Sequence, residues 1–367
     1  MNREEINKIK SEIFAKAPAE IIEIADEVLH RVTQYASLLY ARVGRKIDFS
    51  WRDDPRSTAA TYHETSKDDR VVFSYQFALD LYRDACLLSR LARVHFCDSK
   101  YTSIFGHLTA DRAGVLPAGY SEEQCSKLMF EATLEWVFFH EMAHLSQGHI
   151  EIRNSSRPNS HAGIIEELSA STSTPLQGDE ALISHVTEIA ADHEGLVTWL
   201  QYRSVLNANT IPYADVYMAV CGLTCLFNRF FGSSGKVVNA VPEGSHPSSA
   251  MRWELLLPTF LGFFLNERVR DRFPTWAYGR AELQKQLTEA NALANLQWIL
   301  CYGPQNIDPL AFITTAKLDN PEVRKYLRKI VSTINKIRPE VEKRYLFPVP
   351  PSLPVFTEEW IIRISED

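Results

Sequence analysis

The sequence predicts an α+β fold that is predominantly helical, with a small antiparallel sheet near the amino-terminal end. Apolar residues recur at spacings of three and four over most of the 367 residues, which is the period of helices packed on a core. Residues 47–74 instead alternate in the manner of strands. The chain is 45% hydrophobic and 23% charged, which is ordinary for a globular protein and excludes collagen-like and largely disordered chains.

The amino-terminal elements are two helices and three short strands. Helical periodicity covers residues 1–43, and Pro18 divides it into two pieces. Ile47–Trp51 alternates like a strand. A polar turn then joins the two strands of a predicted hairpin, Ala59–His63 and Arg70–Ser74.

A long helix is predicted in the middle of the chain. Helical periodicity returns over Gln76–Phe96 and is followed by loop signals across residues 97–120. Ser121 and Gln124 form the pattern of a capping box, so we expect a helix from this point to about Ile152.

The remaining elements follow a polar segment at residues 153–180, which is rich in turn formers and predicts a loop or a partly ordered insertion. Further helices are predicted over Glu180–Arg203, Tyr213–Phe231, Ser248–Leu265 and Arg280–Cys301. From Pro321 we expect a charged helix and then a proline-punctuated segment, Pro348–Pro354.

Charge, cysteines and hydropathy restrict the class of protein. Lys and Arg number 39 against 46 Asp and Glu, a net charge of −7 without a basic stripe, which excludes a typical nucleic-acid binder. Six cysteines without a C-x-x-C pair predict reduced thiols in a cytoplasmic protein. The most apolar stretches, Val216–Phe227 and Leu255–Leu265, fall short of the roughly 18–20 residues that a membrane span needs, so none is expected.

The strongest chemical signal is His140-Glu-Met-Ala-His144. In a helix, residues four apart differ by about 40° in direction, so His140 and His144 share a face and can bind one Zn²⁺. Glu141 projects beside them toward a metal-bound water. An apolar run, Trp136–Phe139, comes directly before this motif and predicts a buried helix, in which histidines without a metal would be costly.

A tetrahedral zinc site with an open position needs a third protein ligand, and a second helix offers one. Glu188, Asp192 and Gly195 lie at positions i, i+4 and i+7, on one helix face. That face would present a ligand carboxylate, a second carboxylate able to orient a ligand imidazole, and a glycine that permits close helix contact. The alternative interpretation is an amphipathic helix with a solvated acidic face. His149, at the end of the zinc helix, is interpreted as a cation or cap for that helix end.

Three motifs occur in order: H-E-x-x-H-x-x-x-G-H at 140–149, E-x-x-A-D-x-x-G-L at 188–196 and S-H-P-S-x-x-x-R at 245–252. This order resembles the gluzincin zinc metallopeptidases of the HtpX, Oma and CAAX-prenyl-protease type. The resemblance covers roughly residues 58–255, and the hairpin lies where that family has its active-site edge strand. Soluble Lit-type and ImmA-type HExxH peptidases are looser relatives.

The resemblance implies a role for each residue of the motifs. It makes His140, His144 and Glu188 the zinc ligands and Glu141 the general base. Asp192 would support a ligand histidine. The resemblance also places His246 and Arg252 near the reacting centre, where His246 could donate a hydrogen bond to a developing oxyanion.

The domain organisation that follows is a zincin-like core with helical additions at both ends. It comprises an amino-terminal helical region at 1–45, a metallopeptidase domain at 46–267 with inserts at 76–120 and 153–180, and a carboxy-terminal helical region at 268–367. We expect the segment between the two metal helices to be a mobile flap that limits substrate access.

The predicted function is zinc-dependent hydrolysis of peptide bonds in the cytoplasm. The protein or peptide substrate would lie extended along the hairpin edge. Two alternatives remain open. One is a metal-stabilised binding protein without turnover, and the other is an enzyme held inactive until a trigger or a partner releases it.

Overall fold

The computed structural model describes residues 3–96, 115–156, 164–167, 176–231, 241–267, 269, 279–303 and 320–365. The helices in chain order are α1 (Arg3–Phe14), α2 (Pro18–Ala41), α3 (Tyr75–Val94), α4 (Glu122–Ser146), α5 (His149–Ser156), α6 (Gly178–Leu206), α7 (Tyr213–Phe231), α8 (Ser249–Leu265), α9 (Arg280–Tyr302), α10 (Pro321–Arg344) and α11 (Glu358–Ser365). The strands are β1 (Lys46–Arg52), β2 (Ala59–His63), β3 (Asp68–Ser74) and β4 (Ile164–Glu167). The prediction of a mainly helical α+β fold is confirmed.

The sheet is mixed, so the prediction of a purely antiparallel sheet is wrong. Its strand order is β1-β3-β2-β4. β2 and β3 form the predicted antiparallel hairpin, but β1 pairs in parallel with β3, from Lys46 opposite Asp68 to Arg52 opposite Ser74. The connection from β1 to β2 passes across the sheet, which leaves β1 next to the second strand of the hairpin.

Part of the predicted loop at 153–180 is ordered secondary structure. Residues 153–156 belong to α5, and β4 pairs antiparallel with β2, with Tyr62 opposite Ile164. The adjacent isoleucines Ile164 and Ile165 are good strand formers within an otherwise polar stretch. The edge of β2 is therefore covered by the chain itself. At the end of the expected flap, residues 178–180 belong to α6. Residues 157–163 and 168–175 of the flap lie outside the described residues, as does most of the expected loop at 97–120.

Helix α4 is the centre of the core and contacts α2, α3, α6 and α7. Its residues from Met129 to Ser146 are all buried. The capping box at its start is confirmed: the Ser121 hydroxyl accepts from the Gln124 backbone N–H at 3.1 Å, and the Gln124 side chain accepts from the Ser121 N–H at 2.8 Å. The helix does not continue to Ile152, because Gly148 adopts φ = +66° and starts a new direction for α5.

The carboxy-terminal segment packs on the end of α4 and on α6. The Leu346 N–H donates to the Ser146 carbonyl at 2.8 Å. On α6, the carboxylate of buried Glu194 accepts from the Tyr345 hydroxyl and, at 2.5 Å, from the Ser352 N–H. The carboxy-terminal segment therefore covers the end of α4, the predicted metal helix, and the neighbouring part of α6.

Among the helices of the described ranges, none combines the length and apolar character that a bilayer crossing requires.

We predict a pH-dependent contribution to stability from His63, which links the hairpin to α5. Hydrogen bonds to Asp69 and then Glu151 raise its pKa from 6.5 to about 9. Because the pKa is raised in the folded protein, protonated His63 contributes its full stabilisation below about pH 6.5. This contribution is lost as the pH rises through 9. We expect the free energy of unfolding to fall by about 1–2 kcal/mol between pH 6.5 and 10, allowing for partial solvent screening.

Urea unfolding at both pH values, compared with the His63→Gln variant, isolates this contribution. The variant should lack this part of the pH dependence. An identical pH profile in the two proteins would show that His63 does not contribute.

Candidate metal centre

The site forms where α4 and α6 pass closest to each other. Gly195 of α6 lies against His140: a Cβ at Gly195 would be 2.9 Å from both the backbone N and the Cα of His140. Only glycine leaves room for this approach without displacing a helix. Glu188, two helical turns before Gly195, is thereby brought to the face of α4 that carries His140 and His144.

Three side chains form a compact group that could hold a metal ion. Nε2 of His140 lies 3.1 Å from Nε2 of His144 and 3.4 Å from one oxygen of Glu188, and Nε2 of His144 lies 3.4 Å from the other oxygen. The candidate ligand atoms lie within 4.8 Å of one another. All three side chains are at most 1% exposed. Within the described ranges this is the one such group.

The donor set suits a first-row divalent metal. Two imidazole nitrogens and one carboxylate oxygen are the ligands that catalytic zinc takes, and other metals of the series accept the same donors. Burial lowers the pKa of His144 from 6.5 to about 4, so its imidazole is neutral at pH 7 and has a lone pair for a metal. The residues present therefore fit a metal centre, but these donors do not identify which metal it binds.

Asp192 lies beside His140, and Arg252 in turn binds Asp192. An oxygen of Asp192 is 3.0 Å from Nδ1 of His140, the nitrogen that faces away from the candidate metal position. Arg252 donates to both oxygens of Asp192, at 2.8 and 2.6 Å. Its guanidinium also lies over the rings of Phe227 and Phe230, at 4.8 and 5.2 Å from the centroids. Asp192 is thus held in place for contact with His140.

Two further predicted residues adjoin the group. His246 has Nε2 3.7 Å from a Glu188 oxygen, and its Nδ1 is 2.7 Å from the Ser245 hydroxyl. Its side chain is 19% exposed, in contrast to the ligands. Glu141 follows His140 directly in α4 and is fully buried. The structure therefore brings six of the predicted site residues together, and the seventh, Glu141, is a buried residue next to His140 in α4.

Sequence reasoning missed Arg153, which it assigned to the polar loop. Arg153 is buried in α5 and forms an ion pair with Glu188. Its Nε donates to the Thr187 hydroxyl at 2.7 Å, and Nη2 also donates to the Ser184 carbonyl. The positive charge of Arg153 balances the Glu188 carboxylate. No periodic signal could have found Arg153, because the turn at Gly148 separates α5 from α4.

Sequence reasoning also misjudged His149. The sequence predicts a cation or cap at the end of the zinc helix, but His149 begins α5 and is buried, with Nδ1 2.8 Å from Nδ1 of His144. Burial lowers the pKa of His149 well below its usual range, so the ring is neutral and cannot act as a cationic cap.

No protein-family model, curated protein or solved structure matches the chain.

We predict that Gly195→Ala weakens metal binding. The added methyl would lie 2.9 Å from backbone atoms of His140, so α6 must move away from α4 and Glu188 with it. Zinc affinity, measured by competition with a chromophoric chelator, should fall by about tenfold or more, as expected when ligand geometry is disturbed. Gly262→Ala is the matched control, because a Cβ there meets no atom within 4 Å. Equal zinc affinity in the two variants would contradict the close-packing argument.

We predict that Arg153→Gln destabilises the metal-free protein more than the zinc-loaded protein. Without Arg153 the buried Glu188 loses its ion pair, and such losses cost about 3–5 kcal/mol. A bound metal supplies positive charge and should offset most of this loss. Chemical denaturation with and without zinc measures both values.

Arg70→Gln serves as the control, because the Arg70–Glu64 pair lies at the surface and should contribute about 0–1 kcal/mol. An Arg153→Gln variant with the same loss in both metal states would argue against charge balance at Glu188.

Proposed function

We propose that this protein is a zinc-dependent endopeptidase in which Glu141 acts as the general base. The observation that carries the proposal is the buried group of His140, His144 and Glu188, with Glu141 next to the first ligand on the same helix. A pair of histidines one turn apart, an intervening glutamate and a third carboxylate ligand together favour metal-assisted hydrolysis.

The proposed chemistry assigns proton transfer to Glu141. A bound zinc ion would acidify water and polarise the scissile carbonyl. Glu141 would take the proton from the attacking water and deliver it to the leaving amine, which is general base catalysis followed by general acid catalysis by one side chain. Its neighbour His140 would keep the metal and the base within reach of the same water.

His246 and Arg252 complete the proposed site in different ways. His246 is more exposed than the ligands and lies beside Glu188, which suits a hydrogen-bond donor to the oxyanion that develops on the substrate. Arg252 is buried and binds Asp192, so its proposed role is to position His140 through that carboxylate.

The proposed family is the gluzincins, on the strength of the three ordered motifs. Residues that those motifs contribute from α4, α6, α8 and the segment before α8 lie close together. Peptide or protein substrates belong to this proposal. So does a cytoplasmic location, for which the free thiols of the five cysteines within the described ranges offer support.

A second candidate is a latent or non-catalytic regulatory protein built on the same centre. Two observations favour latency. Glu141, His144 and Glu188 are fully buried, and β4 occupies the edge of β2 along which we expected substrate to lie. Strand addition to the hairpin would require β4 to leave β2, so peptide binding and opening of the sheet edge would be coupled.

We predict that Glu141→Gln abolishes hydrolysis and keeps zinc. The amide has nearly the same volume but cannot act as a base, and Glu141 is not one of the candidate ligand residues. Turnover of a broad peptide library should fall to background, while zinc content and melting temperature stay at the wild-type values. His140→Ala is the control that loses a ligand, and it should lose both zinc and turnover.

The same pair of variants distinguishes the two candidates. Glu141→Gln should retain substrate proteins in cells that His140→Ala does not retain. Wild-type turnover in Glu141→Gln would exclude the proposed mechanism. A wild-type protein that binds zinc but cleaves no peptide would favour the latent or non-catalytic protein.

A further inference from the structure

The outer nitrogen of His144 faces a second buried histidine. Nδ1 of His144 lies 2.8 Å from Nδ1 of His149, and the two rings meet edge to face with centroids 5.0 Å apart. Both residues are 0% exposed. Two nitrogen lone pairs at this distance would repel, so one proton must lie between the rings.

A metal at the candidate site would decide which ring supplies that proton. Nε2 of His144 lies among the other candidate ligands, 3.1 Å from Nε2 of His140 and 3.4 Å from Glu188. A metal bound there needs the lone pair of Nε2, and a neutral imidazole then carries its proton on Nδ1. With the metal bound, His144 is therefore the donor and His149 the acceptor, and His149 carries its own proton on Nε2.

We propose that His149 is a positioning residue of the metal centre. Its Nδ1 accepts the hydrogen bond that holds His144 in the Nδ1–H tautomer and directs Nε2 toward the metal. This inference rests on the proposed metal centre and adds to it the partner of the second ligand. An oxygen of Asp192 lies 3.0 Å from the outer nitrogen of His140, and Arg153 contacts Glu188. Each of the three ligands thus has a buried side chain against it.

The turn at Gly148 is what makes this contact possible. In an unbroken helix, His149 would be rotated by about 140° from His144 and could not lie against it. The left-handed conformation of Gly148, at φ = +66°, ends α4 and returns the chain so that the first residue of α5 reaches His144. A side chain at position 148 would also meet Arg344, whose Cβ would be 2.8 Å from the added Cβ.

His149 is a neutral hydrogen-bond acceptor in a region that already contains buried carboxyl groups. The ligand Glu188 and its neighbour Asp192 already place two buried carboxyl side chains in this region. A neutral imidazole accepts a hydrogen bond from His144 without adding another negative charge to this region. A carboxylate at the same place would need a further cation to balance it.

Zinc affinity of two variants at position 149 tests the proposal. His149→Asn keeps an acceptor, because its amide oxygen can occupy the place of the imidazole Nδ1, whereas His149→Leu removes the acceptor and keeps an apolar body. We expect zinc affinity to fall by about 10–100-fold in His149→Leu and to stay within about threefold of wild type in His149→Asn. His193→Leu is the control, because His193 contacts Ser352 rather than a candidate ligand, and it should bind zinc normally.

Equal affinity in wild type and His149→Leu would overturn the proposal. So would an equal loss in both variants at position 149, since packing rather than hydrogen bonding would then explain the effect. Melting temperatures show whether each variant is folded. Visible spectra of the cobalt-substituted proteins should change in His149→Leu, because the direction of Nε2 is no longer fixed.

A measurement on the zinc-loaded wild-type protein is independent of activity and of folding defects in variants. Nitrogen NMR of the imidazole rings should show the proton of His144 on Nδ1 and that of His149 on Nε2. A proton on Nδ1 of His149, with none on Nδ1 of His144, would refute the proposed hydrogen bond. A wild-type protein that binds no zinc would refute the proposed function, whereas a zinc-loaded protein with the opposite proton placement would refute only the role of His149.

Discussion

The contact between α4 and α6 at His140 and Gly195 is the constraint on which the candidate centre depends. A glycine at this point lets the two backbones approach so closely that a Cβ would clash at 2.9 Å. The same approach places Glu188 beside both histidines and Asp192 behind His140. Helix packing, rather than a flexible loop, therefore determines the geometry of the ligands, which is the arrangement that gives a metal site its rigidity.

Burial then determines which residues surround the ligands. Carboxylates inside a protein need cations or hydrogen-bond donors, and here Arg252 binds Asp192 while Arg153 binds Glu188. A histidine ligand has the opposite requirement, because a metal binds only the neutral imidazole. Burial meets this requirement at His144, whose pKa it lowers to about 4. The elements packed around the site include α5 and the carboxy-terminal segment, which contacts Ser146 and Glu194.

Features with a regular local period could be predicted from the sequence. The histidines and Glu141 follow from helical spacing, and Glu188, Asp192 and Gly195 share a face for the same reason. His149 and Arg153 could not be placed, because the left-handed turn at Gly148 redirects the chain and no helical period extends across it. β4 was missed since four residues are too few to show alternation. The parallel pairing of β1 was missed because it depends on how the chain crosses the sheet, which the pattern within a strand does not reveal.

The central claim is that two imidazoles and one carboxylate bind a single zinc ion. X-ray absorption at the zinc edge of the zinc-loaded protein tests this claim most directly, because it reports the ligand atoms themselves. We expect two imidazole nitrogens at about 2.0–2.1 Å and oxygen ligands at about 2.0–2.2 Å, with one zinc per chain. The Glu188→Ala variant should lose oxygen scattering or zinc. A sulfur shell at about 2.3 Å, or a zinc spectrum without imidazole scattering, would contradict the assignment.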